Sequence, residues 1–243
     1  MKMEAFFIIL CSLVSTSVYA GIMPATTRII YQEADHEKTL MLVNTNKYPI
    51  IVQTWADNGE GNPESTSIPF IILPAVFRLL PGETQGVRIV YNREELPKDR
   101  ESLFWLNFYE IPPATEKQLM VPRLTLAMNT QIKLFWRPDV VTILLEDAVK
   151  KLKFTLVQKD GTWSLQCDNP TQMHISFTAV SISGADYEYK AKPQADMMVR
   201  PFSKRTYLLT SENEKPDGNN VIFHYLDDNG SAVEYSLPLH SQS

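Results

Sequence analysis

What most constrains this chain is the rhythm of its apolar runs. Residues 26–32, 40–44, 50–55, 68–73, 86–91 and 103–109 are short and rich in β-branched and aromatic side chains. Turn chemistry separates them, at Asn44-Thr45-Asn46, Asp57-Asn58-Gly59, Pro81-Gly82 and Pro97-Lys98-Asp99. Runs of this kind read as strands. The rhythm resumes at 153–158, 162–167, 175–183, 206–210, 221–226 and 232–237, divided by turns at Lys159-Asp160-Gly161, Asp168-Asn169-Pro170 and Asp228-Asn229-Gly230. One helical turn fits 146–151, and no long helical period appears elsewhere. The pattern predicts an all-β fold of sandwiches rather than a parallel α/β sheet.

One run is longer than the rest. From 124 to 136, Leu124, Leu126, Met128, Ile132, Leu134 and Trp136 share one parity, and Thr125, Ala127, Asn129, Gln131 and Lys133 take the other. Period two puts each set on its own face of a sheet. At about 3.3 Å per residue this run reaches roughly 43 Å, so it overshoots a small sandwich or bends at a bulge. Alternation alone leaves two readings open: the apolar face packs on its own core, or part of it is offered to a partner. Arg137-Pro138 ends the run, since proline restricts itself and its predecessor, and marks a domain hinge.

The first twenty residues have the layout of a secretory signal peptide. Lys2 is followed by an apolar core from Phe6-Phe7-Ile8-Ile9-Leu10 to Val14, and Val18-Tyr19-Ala20 sets a small residue before Gly21. The core is too short to span a bilayer, which needs about 20 residues, and Cys11 is expected to leave with it. The remaining 243 − 20 = 223 residues suit two domains of about 100 residues each. The expected division is 21–138 and 139–243. Cys167 is then the one cysteine left, so both cores must hold without an internal disulfide. A net charge of −5 with scattered basic residues argues against nucleic acid as partner, and no second apolar segment is long enough for membrane insertion. His36, His174, His224 and His240 have no metal-ligand spacing, and no nucleophile elbow or phosphate-cradling glycine loop is present. The chain reads as a binding protein and not an enzyme, with no cofactor and no metal.

Residues 96–113, Leu-Pro-Lys-Asp-Arg-Glu-Ser-Leu-Phe-Trp-Leu-Asn-Phe-Tyr-Glu-Ile-Pro-Pro, closely resemble the signature of PapD-like periplasmic pilus chaperones over eighteen consecutive positions. Thr27-Arg28-Ile29-Ile30-Tyr31 is similar to the family's first strand. Gln131-Ile132-Lys133-Leu134-Phe135-Trp136-Arg137-Pro138 resembles the end of its last N-domain strand, and Leu79-Leu80-Pro81-Gly82-Glu83 one of its turns. After Pro138 the resemblance is weaker, resting on Asp168-Asn169-Pro170-Thr171 and Tyr225-Leu226-Asp227-Asp228.

The resemblance implies two immunoglobulin-like β-sandwiches set in an L, in the periplasm, that bind and cap pilus (fimbrial) subunits and deliver them to an outer-membrane usher. A subunit lacks the last strand of its own sandwich, and the chaperone lends one. The residues lent would be Leu124, Leu126 and Met128. Arg28 and Lys133 would grip the subunit's C-terminal carboxylate. Glu101, Arg137 and Asp228, with Asp227 as an alternative to the last, would form an interdomain ion network. Ile51, Pro74 and Ile111 would face the usher. The segment 111–123 lacks a long insertion and resembles the short-loop (FGS) branch. A self-capping dimer of the free protein stays open. The rivals are a secreted β-sandwich adhesin or a pilus structural subunit. The ending Leu237-Pro238-Leu239-His240-Ser241-Gln242-Ser243 lacks the alternating apolar strand a subunit needs.

Overall fold

The computed structural model describes residues 21–65, 67–113, 127–159, 161–184, 187–210 and 215–240. The targeting segment, Leu124 and Leu126 lie outside the described residues.

Among the described residues, nine strands form the first unit: β1 (Ile22–Pro24), β2 (Arg28–Gln32), β3 (Glu37–Asn44), β4 (Ile50–Asp57), β5 (Phe70–Leu73), β6 (Val76–Leu79), β7 (Thr84–Tyr91), β8 (Ser102–Ile111) and β9 (Met128–Arg137). They make two sheets, β1-β3-β7-β5 and β2-β9-β8-β4-β6. Burial follows the period of two: β4 buries Ile50, Val52, Thr54 and Ala56 and turns Ile51 outward. Between the sheets lies an aromatic cluster. Phe70 sits 5.3 Å from Tyr31 and 5.2 Å from Phe104, and Tyr91 sits 5.7 Å from Trp136, ring centroid to centroid.

The second unit opens with a short helix, α1 (Leu145–Val149). It continues with β10 (Lys153–Lys159), β11 (Thr162–Asn169), β12 (Ile175–Ser183), β13 (Glu188–Lys190), β14 (Met198–Val199), β15 (Ser203–Leu208), β16 (Asn220–Leu226) and β17 (Ala232–His240). The strand order is β13-β12-β16-β17-β10-β11-β15, with β14 beside β12. Strand β17 joins the two halves. It pairs with β16 as far as Pro238 and then runs parallel to β10 at Leu239 and His240. Phe154, Phe177 and Phe223 fill this core, with centroids 5.3–6.3 Å apart. Cys167 is fully buried there, and burial raises its thiol pKa well above the usual value.

One device closes a turn in each unit. Asn44 donates its amide to the carbonyls of Tyr48 and Leu79 and accepts from the Asn46 N–H. Asn169 donates to the carbonyls of Met173 and Arg200 and accepts from the Thr171 N–H and hydroxyl. Each buried asparagine thereby pairs carbonyls at turns and strand ends.

Residues 124–126 of the run expected at 124–136 lie outside the described residues, and its described part is a strand from Met128 to Arg137. Two expectations are revised. The run 68–73 is followed by a second strand, β6, across Pro74-Ala75. The strand expected at 206–210 begins three residues earlier, at Ser203, because its polar start pairs with Asn169 at the turn.

Candidate functional site

Strand β9 carries the site because its two edges differ. One edge pairs with β8 along the whole length from Met128 to Trp136. The other pairs with β2 in parallel, but only from Lys133 to Arg137. Among the described residues, Met128–Ile132 has no strand on that side. Among the described residues this leaves an open edge, a template for another strand.

The apolar parity of β9 leaves the core as the strand runs outward. Leu134 and Ile132 are buried, but Met128, on the same face, is 51 % exposed. On the opposite face, the side-chain amides of Asn129 and Gln131 both donate to Asn107 Oδ1 at 2.9 and 2.7 Å. That holds the outer half of β9 flat on β8.

The open edge stops where β2 begins, and two cations stand at that point. Arg28 and Lys133 are register partners across β2 and β9. The Arg28 guanidinium lies 5.7 Å from the Phe135 ring centroid and donates through Nη1 to the Leu226 carbonyl at 3.1 Å. Its buried Nε has no partner among the described residues. Lys133 Nζ lies 5.1 Å from the Trp105 ring centroid and donates to Asp196 Oδ1 at 2.8 Å. Burial lowers the pKa of both groups; Asp228, Asp227 and Glu101 oppose this for Arg28, and Asp196 opposes it for Lys133. A cleft of about 300 Å³ opens here between the two units. Arg28, Lys133 and Trp105 line one wall, and Gln194, Asp196 and Met197 the other.

Below the cleft the units are tied together. Arg137 donates through Nε to Glu101 at 2.8 Å and, as a fork, to both oxygens of Asp228 at 2.7 and 2.9 Å. Desolvation pulls its pKa down, but the bonds and charges of Asp228 and Glu101 outweigh it and hold the guanidinium above its ordinary value. The second Glu101 oxygen accepts the His174 N–H at 2.7 Å, and the Glu101 N–H donates to the Gln172 carbonyl. Gly230, at φ +84°, lies so close to Thr27 that a β-carbon there would sit 2.2 Å from the threonine hydroxyl.

The expected residues fall into groups. Arg28 and Lys133 meet, and Glu101, Arg137 and Asp228 form one network, with Asp228 rather than Asp227 as its acidic end. Ile51 and Ile111 are direct partners across β4 and β8 and are 45 % and 40 % exposed. Pro74 stands further along β4, its carbonyl accepting the Thr54 hydroxyl. Sequence reasoning missed Asp196 and the tie from His174 to Glu101. Neither carries a local signal, because each partner lies more than 60 residues away.

A family model described as the pili and flagellar-assembly chaperone PapD N-terminal domain matches residues 21–142, and one for the PapD C-terminal domain matches 147–237. The chain is 33 % identical over 235 residues to a probable fimbrial chaperone, YadV, of Escherichia coli K12, covering 95 % of this chain and 94 % of that protein. Among solved structures, the YadV chaperone superposes with a TM-score of 0.77 at 30 % identity, over 90 % of this chain and all of that one. The structure of the SafA pilin in complex with the SafB chaperone, from Salmonella enterica, contains a chain that matches with a TM-score of 0.74 at 26 % identity, over 93 % of this chain and 99 % of that one.

Proposed function

Because this chain belongs to the PapD family of pilus-assembly chaperones, we propose that it captures pilus subunits by lending β9 as a strand and anchoring their C-terminal carboxylate on Arg28 and Lys133. The observation that carries this is the open edge of β9 ending at two partly buried cations. A strand laid parallel to β9 along that edge runs its C-terminus into Arg28 and Lys133. An antiparallel strand would bring an ammonium there instead. Two neighbouring cations, each penalised by burial, favour the carboxylate and so select strand direction. Main-chain bonds along Met128–Ile132 supply affinity, and alternate side chains fill the subunit's groove.

In the sequence Leu126 and Leu124 precede Met128 at the same parity, and we propose that they are lent with it; each sizeable apolar side chain contributes about 1.5–3 kcal/mol when fully buried. Arg137, Glu101 and Asp228 hold the two units at a set angle, so the cleft is formed before a subunit arrives. The exposed pair Ile51 and Ile111, with Pro74, is the face offered to the usher. The work is done in the periplasm, after removal of residues 1–20.

The test is periplasmic co-expression with a pilus subunit and with the same subunit carrying a short C-terminal extension. The native subunit should co-purify and the extended one should not. Equal yields would overturn the carboxylate anchor.

A further inference from the structure

We propose that Asp196 is a specificity-determining residue of the cleft, an internal carboxylate that occupies Lys133 in the empty protein and that an incoming terminal carboxylate must displace. This rests on the anchor reading of Arg28 and Lys133 given above.

Asp196 reaches Lys133 Nζ at 2.8 Å from the second unit, 63 positions along the chain. It is the one ion-pair partner of Lys133 among the described residues. The Lys133 side chain is 14 % exposed, between the Trp105 face and Asp196. Two ligand carboxylates on one enclosed ammonium repel each other, so a newcomer replaces Asp196 rather than joining it.

The loop that presents Asp196 is fixed. Arg205 donates to the Asp196 and Met198 carbonyls and, through Nε and Nη2, to Gln194 Oε1 at 3.2 and 2.7 Å. The Asp196 side chain is nonetheless 35 % exposed. It also accepts the Met198 N–H at 3.1 Å, so it keeps a donor when it lets go of Lys133. The consequence is a threshold. A carboxylate without strand pairing, such as free acetate or a glutamate side chain, gains little over the residue already present. A chain end that also pairs along β9 adds its main-chain bonds and wins.

The test compares wild type with Asp196→Asn, which keeps an acceptor for Met198 and removes the charge, and with Asp196→Ser as a second variant. The probe is a fluorescent peptide of alternating valine and phenylalanine ending in a free carboxylate, with its C-terminal amide as control. Fluorescence polarisation should show the carboxylate peptide bound about fivefold tighter by both variants, the scale of a modest ion pair. The amide should be bound equally by all three proteins. Carboxylate-peptide binding by the variants that is equal to or weaker than wild type overturns the role of Asp196. Lys133→Ala, run alongside, separates the two readings. If it binds the carboxylate peptide as wild type does, the anchor itself fails. If it loses binding while Asp196→Asn gains nothing, only the displacement fails.

Discussion

Arg28 and Lys133 stand opposite each other in the parallel register of β2 and β9, so two cations mark the residue at which β9 loses its outer partner. Position and charge coincide. A strand added beyond β2 ends where a carboxylate is wanted.

Lys133→Ala should leave the circular dichroism spectrum unchanged and lower subunit affinity thirtyfold or more, about 2 kcal/mol, as expected for removing one member of a desolvated charge pair. Arg28→Ala should bind as poorly and also lose some stability, because the Leu226 carbonyl loses its donor. If both grip one group, as proposed, the double variant should be little worse than either. Additive losses would show that the two act separately.

Met128→Glu tests the lent face without touching the core. The side chain is 51 % exposed, so thermal stability should move by less than about 0.5 kcal/mol. Subunit capture should disappear, because the carboxylate would be buried unpaired in an apolar groove. Retained capture by the folded variant would remove Met128 from the lent set.

Capture should weaken at alkaline pH. Burial lowers the Lys133 pKa in the free protein even with Asp196 beside it, and a strand-held carboxylate enclosed between Lys133 and Arg28 favours the ammonium more than the one-third-exposed Asp196 it displaces. Binding is therefore strongest below the free value and is lost as pH rises through the value in the complex. The fall should begin below the ordinary lysine range. Dissociation constants measured from pH 7 to 11, with Lys133→Ala as control, should show the slope in wild type alone.

Arg137→Ala should destabilise by about 3–5 kcal/mol, because Glu101 is 3 % exposed and would lose the cation that pairs it. Small-angle scattering should show a wider spread of interdomain angles, and protease cleavage near Pro138 should rise. An unchanged scattering curve with unchanged stability would mean that packing alone sets the angle.

The strands were readable where alternation had room to show. β4, β7, β8 and β12 are eight to ten residues long and flanked by Asn, Gly or Pro turns. β1, β13 and β14 are two or three residues long, too short to carry a period, and they pair only because longer neighbours offer an edge. The cations of the cleft were readable through resemblance, as charges set within apolar runs. Asp196 was not readable, since its role comes from folding one unit against the other. In the sequence His174 is one of four scattered histidines, and only the fold puts its backbone N–H on Glu101.

Lys133, Phe135 and Arg137 alternate along one face of β9, and each meets a different piece of the second unit: Asp196, His174 and Asp228. The strand proposed to hold the cargo is thus also the strand that forms the seam. No slack linker lies between grip and joint. A pull on a bound subunit reaches the joint as torque along a few residues of stiff, doubly paired backbone, and a change of angle at the joint is felt by the cargo at once. Mechanically the molecule is a lever with its handle and its fulcrum cut from one bar.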